Sequence, residues 1–423
     1  MKVFVIHMDG YPLMPTHPAK ARILLKKKEA KIVKMVPFTI QLLRDSDNKT
    51  QEVSLGIDPG ETVGISVTTE KEVLFEAQLK HRDEEVKENL STRREARRTR
   101  RNRKTPYRKP RFLNRKKGKD WIAPSLKTML LTYQSMFLLL KKILPISKVI
   151  IEYCQFDIQK LKNPDIKGKE YQEGEQKGFW NIREYILDRD NHTCQNCGKK
   201  SDFKKKSDFG YSNENKVILE VHHIVSRKVG GNRPDNLVTL CKECHDGYHN
   251  KTVKLKNFKL SQNFKFPTKM NILKDRLMNL AYSLFERDNV SITFGSITKS
   301  RRIEQKLEKD HHIDARMISG NLSAKHSDVV YYFKKVRRHN RKIYKDKTLS
   351  KGKRRINQCP YTVNNFHRYD LIKFDGKLLY INALNKKGYF QYKDLLDKKF
   401  KTSRTYKKLS LIQHRDGFVI SIA

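Results

Sequence analysis

The stretch Leu55-Gly56-Ile57-Asp58-Pro59-Gly60, with Gly64-Ile65 after it, places an acid at the end of an apolar strand just before a tight turn. Alone such a segment is common, because an Asp before Pro-Gly serves a turn equally well. Its surroundings give it weight. Val53 to Asp58, Gly64 to Thr68 and Val73 to Leu79 are β-type runs separated by turns at Pro59-Gly60 and Glu70-Lys71, and they predict an antiparallel meander. Farther on, Lys148-Val149-Ile150-Ile151-Glu152-Tyr153 sets a second carboxylate in an apolar strand, where an unpaired charge is costly unless a metal or partner neutralises it. His311-His312-Ile313-Asp314-Ala315 opens a helix, so that His311 and Asp314, three apart, share a side. Three carboxylates and a histidine from distant segments suit a two-metal site for phosphodiester hydrolysis.

A second constellation lies between these pieces. Cys194-x-x-Cys197 is followed, after roughly forty residues, by Cys241-x-x-Cys244, the four thiolates that a closed, structural tetrahedral zinc site requires. Around them stand Glu220-Val221-His222-His223-Ile224, Gly230-Gly231-Asn232, Asp235-Asn236-Leu237 and His245. A ββα nuclease site needs one divalent cation on the scissile phosphate and one general base for the attacking water. Two adjacent histidines plus a helical ligand meet that need. The other cysteines, Cys154 and Cys359, read as incidental thiols.

The 423-residue chain carries 91 Lys and Arg against 46 Asp and Glu, a formal net charge of +45, and needs a polyanion to offset its self-repulsion. A membrane in that role has little support in the sequence. Met1 to His7 is too short an apolar run for a signal peptide, and Met129 to Leu144 is broken by Thr132, Gln134, Ser135 and a Lys pair. The cysteine usage fits a reducing cytosol. The basic charge concentrates in Arg93, Arg94, Arg97, Arg98, Arg100, Arg101, Arg103, Arg108 and Arg111, with Tyr107 and Phe112 interleaved. Like charges at i and i+4 repel, so this segment is expected to lie along a phosphate backbone.

The rest of the chain reads as elements around these sites. Ala19 to Ala30 is a basic helix candidate and Ile32 to Leu43 is strand-like; Leu126 to Leu144 and Asn271 to Arg287 are helices, and Val290 to Phe294 is a strand. From about Val336 the chain is basic and then rich in short strands, such as Asp370 to Phe374 and Leu378 to Ile381.

The cysteine and histidine region resembles the HNH endonucleases, and the order Asp, Glu, His-x-x-Asp around it is similar to a split RuvC nuclease. Together with Pro12-Leu13-Met14-Pro15, these motifs resemble the IscB family, transposon-associated relatives of the type II CRISPR effectors, over nearly the whole chain. The resemblance implies a mixed α/β multidomain protein: a split RuvC/RNase H-like core with an inserted ββα-metal HNH domain, an arginine-rich bridge helix and a β-rich C-terminal module. Its segments fall at 1–50 (PLMP domain), 51–85 (first RuvC segment), 86–120 (bridge helix), 121–165 (second RuvC segment), 166–262 (HNH with zinc ribbon), 263–335 (third RuvC segment) and 336–423 (a module reading a motif beside the target). It implies Asp58, Glu152 and Asp314 as Mg²⁺ or Mn²⁺ ligands with His311 beside them, His312 competing for that role. It also implies His223 as the base, His222 and His245 on the HNH metal, and Asn236 orienting the loop. The family often has Asp where His222 stands.

The activity implied is RNA-guided cutting of double-stranded DNA by a monomeric protein in a cytoplasmic ribonucleoprotein. An omega RNA supplies the guide, the HNH site cuts the guide-paired strand and the RuvC site the displaced one. A guide-independent HNH endonuclease of homing type is the alternative, and it has no need of the arginine helix.

Overall fold

The computed structural model describes residues 2–101, 118, 120–201, 217–225, 227, 231–258, 264–327, 329–337, 349–350, 353–354, 361–394 and 399–422. The chain is a mixed α/β protein of two compact units, one formed by Met1–Gln155 with Lys269–Ala423 and the other by Phe156–Thr268.

A seven-stranded sheet organises the first unit. Its order is Val290–Thr293, Lys148–Glu152, Ser54–Asp58, Thr62–Thr68, Val73–Lys80, Tyr331–Lys335 and Phe418–Ile422. Ser54–Asp58, Thr62–Thr68 and Val73–Lys80 form the expected antiparallel meander. Lys148–Glu152 adds in parallel to the first meander strand, and Val290–Thr293 in parallel to it. Strands buried on both faces read as unbroken apolar runs, and Ser54 to Ile57 are all buried. The core of this unit includes Leu55, Ile57, Ile65 and Val149 together with Tyr133, Phe137 and Leu140 of helix Pro124–Ile143. That helix starts with Pro in its first turn, where a missing N–H costs nothing, and buries positions spaced three and four apart. Each large side chain fully buried there contributes about 1.5–3 kcal/mol.

Helix His311–Ser319 lies directly on Ser54–Asp58 and Thr62–Thr68. Glycine permits the approach. A Cβ on Gly56 would overlap the Ala315 carbonyl oxygen, and one on Gly64 the His311 carbonyl oxygen. The helix is closed at its start by Asp310, whose carboxylate accepts the His311 N–H at 2.6 Å, and at its end by Gly320 at φ 88°.

The N-terminal residues form a four-stranded sheet in the order Pro12–Thr16, Val3–Ile6, Thr39–Leu42, Ala30–Lys34. The helix expected to reach Ala30 is Pro18–Lys26, because the chain turns at Lys28 with φ 58°. The strand expected over Ile32–Leu43 is two strands, with Pro37, which has no N–H to give a ladder, in the turn between them.

Helix Asp83–Arg101 carries Asp83, Glu84 and Glu85 in its first turn and arginines in its second half, both favourable to the helix dipole. Arg93, Arg94, Arg97 and Arg98 are exposed or half-exposed on it. Arg100 and Arg101 belong to the helix but their side chains lie outside the description, and Arg103, Arg108, Arg111 and Cys359 lie outside the described residues altogether. The C-terminal residues form a five-stranded antiparallel sheet, Lys399–Thr405, Tyr389–Lys393, Lys377–Leu384, Leu371–Phe374, Ser410–Gln413, over Ile372, Leu379, Ile381 and Phe390.

In the second unit Leu219–His223 pairs antiparallel with Leu237–Cys241, and helix Lys242–His249 follows at once. Leu187, Leu219, Val238 and Leu240 pack with Cys194, Cys241 and Cys244. Among the described residues no helix is long and apolar enough to cross a membrane.

Gly56→Ala and Gly64→Ala press a methyl group against backbone that cannot give way, and each is expected to cost about 1–3 kcal/mol or more in urea unfolding. Gly174→Ala, where nothing lies within 4 Å of the added carbon, should stay within about 0.5 kcal/mol of the parent. Equal stability of Gly56→Ala and Gly174→Ala would refute the close approach.

Candidate active sites

The first site stands at the ends of two parallel strands. Asp58 ends its strand, Glu152 ends the neighbouring one, and helix His311–Ser319 brings two more groups. His311 Nδ1 lies 3.0 Å from Asp58 Oδ2. His312 turns away, with Nδ1 3.2 Å from Gln78 Nε2 and 3.5 Å from Asp310 Oδ2, so His311 is the imidazole at Asp58.

The acids repel one another. Burial first, then Asp58, raises the Glu152 carboxyl above its ordinary range, while Thr298 Oγ1 donates to Glu152 Oε2 at 2.9 Å and opposes that shift. Burial and Asp58 likewise raise Asp314, opposed by Arg302, whose Nε is 2.9 Å from Asp314 Oδ1. The hydrogen bond to Asp58 raises His311. The donor set fits hard divalent cations, because added positive charge relieves the disfavoured charged forms of Glu152 and Asp314 beside Asp58. The three do not form a closed ligand set: among the described residues, groups of ligand atoms lying within 4.8 Å of one another do not include them together.

Thr298, Arg302 and Cys154 were not anticipated. Cys154, expected to be incidental, has its Sγ 3.7 Å from Glu152 Oε1 and 3.8 Å from the Pro59 carbonyl, and burial pushes its thiol up. Its position two residues after Glu152, at the exit of the same strand, was the available signal.

The second site is a ββα hairpin and helix. His222 is buried, and its ring centroid lies 5.1 Å from that of His245 and 5.6 Å from that of His249. Ligand atoms of His222, His245 and His249 all fall within 4.8 Å of one another. Burial, then the neighbouring imidazoles, lowers His222 to about 4, which keeps it neutral with a lone pair to offer. His245 Nδ1 lies 2.5 Å from Glu220 Oε2, an orienting contact from outside. His249 was missed, although it stands four residues after His245 and hence on the same helix face.

His223 points from the same strand to the other side, its Nε2 3.1 Å from Asn232 Oδ1. An acceptor at Nε2 places the proton there and leaves Nδ1 free to act as base. Asn236 is fully buried and clasps the intervening loop: its Nδ2 donates to Val225 O at 2.8 Å and Gly231 O at 2.9 Å, and its Oδ1 accepts the Val225 N–H at 2.8 Å.

The four cysteines converge, with all sulfurs within 4.8 Å of one another and Cys197 Sγ 3.6 Å from Cys241 Sγ, too far for a disulfide. Burial raises the Cys194 thiol, but the backbone N–H groups of Cys197, Cys241 and Asn196 outweigh it and leave that thiol lowered to about 7. Such amide donors around converging thiols fit a structural zinc ion.

Residues 194–251 match the family described as HNH endonuclease, and residues 3–174 match the family described as RRXRR protein. The chain is 36% identical over 69 residues to the type IV methyl-directed restriction enzyme EcoKMcrA of Escherichia coli strain K12, which is 16% of this chain and 22% of that enzyme. It thus spans about a fifth of the length of that curated relative. Two solved structures of Streptococcus thermophilus Cas9, in complex with the AGAA and the GGAA PAM, are similar at 12% and 13% identity. They cover 52% and 53% of this chain and 29% and 30% of theirs, with TM-scores of 0.32 and 0.33. The chain therefore carries an HNH endonuclease domain, a divalent-metal-dependent phosphodiesterase module.

Because the Glu152 carboxyl is raised, its ionisation weakens the metal-free fold: its contribution is intact below the ordinary carboxyl pKa and is lost as pH rises through that value and on through the raised one. Glu152→Gln removes this loss and keeps an acceptor for Thr298. Without divalent cations the variant is expected to melt above the parent at neutral pH and level with it at about pH 3. Added Mg²⁺ should raise the parent's melting temperature more than the variant's. A variant melting below the parent at neutral pH would contradict the repulsion.

Proposed function

We propose that this chain is an RNA-guided DNA endonuclease of the IscB type with two separate cutting sites. The observation that carries the two-site reading is the placement of Asp58 and Glu152 at adjoining strand ends with His311 and Asp314 on the helix beside them, in a chain whose other unit holds the His222, His223, His245 and His249 constellation. The strand order around the meander supports an RNase H-like, RuvC-type core. Three antiparallel strands are extended by two parallel ones on the free side of the first. The segments 1–50, 51–85, 86–120, 121–165, 166–262, 263–335 and 336–423 then hold the roles that the resemblance assigns them.

At the HNH site His223 takes the proton of the attacking water through Nδ1, Asn236 holds the loop that carries Asn232, and His222, His245 and His249 hold the cation. At the RuvC site Asp58, Glu152 and Asp314 hold cations and His311 stands against Asp58, placed to move a proton. Mg²⁺ or Mn²⁺, when bound, supplies charge stabilisation at the scissile phosphate. Cys194, Cys197, Cys241 and Cys244 would hold a structural zinc ion, which would tie the segment around Cys194 and Cys197 to the end of the hairpin and the helix that follows it. The HNH site cuts the guide-paired strand and the RuvC site the displaced strand.

Guide use is supported by the net charge of +45, by Arg93, Arg94, Arg97 and Arg98 along one helix, and by the family resemblance. The partners are an omega RNA and double-stranded DNA.

Copurification with RNA from the chain's own locus, followed by cleavage of a matched plasmid library with Mg²⁺, tests the guide. One structured RNA that directs cuts to matched targets is expected, whereas cutting without RNA would favour a homing-type enzyme. In the guided complex, His223→Ala should leave a nickase for the displaced strand and Asp58→Ala one for the paired strand, each losing at least about 100-fold at its own strand. Double-strand cutting by either variant would refute the division of labour.

A further inference from the structure

The C-terminal sheet holds a cluster that the nuclease reading leaves unused. His367, Asp370 and His414 each present one ligand atom, and the three atoms lie within 4.8 Å of one another. Asp370 is 0% exposed. Its Oδ1 accepts the Arg415 N–H at 2.9 Å, and its Oδ2 accepts the His367 backbone N–H at 2.8 Å. The same Oδ2 stands 2.9 Å from His414 Nδ1 and 3.4 Å from His367 Nδ1.

His367 is oriented from outside. Its Nε2 lies 3.1 Å from Thr362 Oγ1, while its inner Nδ1 is buried with no hydrogen-bond partner. An imidazole that donates its outer N–H to a hydroxyl offers a lone pair at the inner nitrogen, as metal-bound histidines do, and the Thr362 contact permits that tautomer. Ligands bonded at about 2.0–2.2 Å to one tetrahedral ion stand about 3.3–3.6 Å apart. The spacing of His367 Nδ1 from Asp370 fits directly. His414, with its side chain 48% exposed, needs to open by only a few tenths of an ångström and leaves a side free for water.

We propose that His367, Asp370 and His414 form a binding site for a zinc-class divalent transition metal, separate from the four-cysteine site and from both cutting sites. Two imidazoles with one carboxylate select Zn²⁺, Co²⁺ or Ni²⁺ over Mg²⁺, which prefers oxygen ligands. The ion joins three segments: the hairpin Thr362–Val363 with Phe366–His367, the start of strand Leu371–Phe374, and the residue after strand Ser410–Gln413. The pairing of those last two strands shifts register between Leu371 and Ile372, so the ion clamps the sheet where its ladder is irregular.

Full-length protein, its His414→Ala variant and its His367→Ala variant, each loaded with Zn²⁺ and desalted, are compared by metal analysis, and the Co²⁺-loaded forms by absorption spectroscopy. Each variant is expected to hold one fewer zinc per chain while the thiolate-to-cobalt charge-transfer band of the cysteine site is unchanged. Zinc should also slow amide exchange around 366–372 and 410–415 in the parent and not in His414→Ala. Equal zinc content in the parent and either variant would overturn the three-ligand site, leaving a buried carboxylate with hydrogen-bond donors only.

Discussion

The contact of helix His311–Ser319 with the strands that carry Gly56 and Gly64 sets much of the first unit. Backbone meets backbone there, since a Cβ at either glycine would overlap a helix carbonyl. Such an approach fixes the helix along its axis and about it, because no side chain intervenes whose rotamer could absorb a shift. His311 and Asp314 are thereby carried to Asp58 over more than 250 residues of sequence. The raised carboxyls of Glu152 and Asp314, shifted by burial first and by Asp58 second, depend in part on that placement. A looser helix would weaken the contribution of Asp58 to Asp314 and leave that of burial in place.

Two chemistries for cations result. The carboxylate cluster gathers negative charge that a hard ion would relieve, while at the histidine cluster burial and then the neighbouring imidazoles lower His222 to about 4. Lowering pH therefore acts on the two differently. As pH falls, the raised carboxyls of Glu152 and Asp314 take up protons sooner than ordinary carboxyls do, whereas His222, lowered to about 4, keeps its lone pair longer than an ordinary imidazole.

The fold was legible wherever a pattern had one physical cause. Unbroken apolar runs ending in Asp58 and Glu152 marked the central strands to within a residue or two, because burial on both faces leaves no other reading. The paired cysteines and adjacent histidines marked the ββα hairpin. Boundaries failed where a single backbone angle decided them, as at Lys28, which ends a helix that the side-chain pattern would continue to Ala30. Arg302 and Thr298 were illegible for a different reason: a residue that supports an acid from a neighbouring helix shows no periodicity relative to it. His249 lay in plain view at helical spacing from His245, but two histidines already satisfied the motif, and nothing in the spacing alone demanded a third ligand.

The positions of Asn236 and Arg302 separate holding from acting at the two sites. Asn236 spends both amide ends on Val225 and Gly231, so it has nothing left for a substrate and acts on the loop alone. Its complete burial makes an apolar replacement costly, since three backbone groups would lose their partner. Arg302 instead faces a charge that a bound cation would also face. Its Nε stands 2.9 Å from Asp314 Oδ1 and opposes the raising of that carboxyl without cancelling it, and a cation drawn to the same carboxylate would compete for it. The guanidinium thus opposes part of the shift that burial and Asp58 impose on Asp314, and a cation at that carboxylate would act in the same sense.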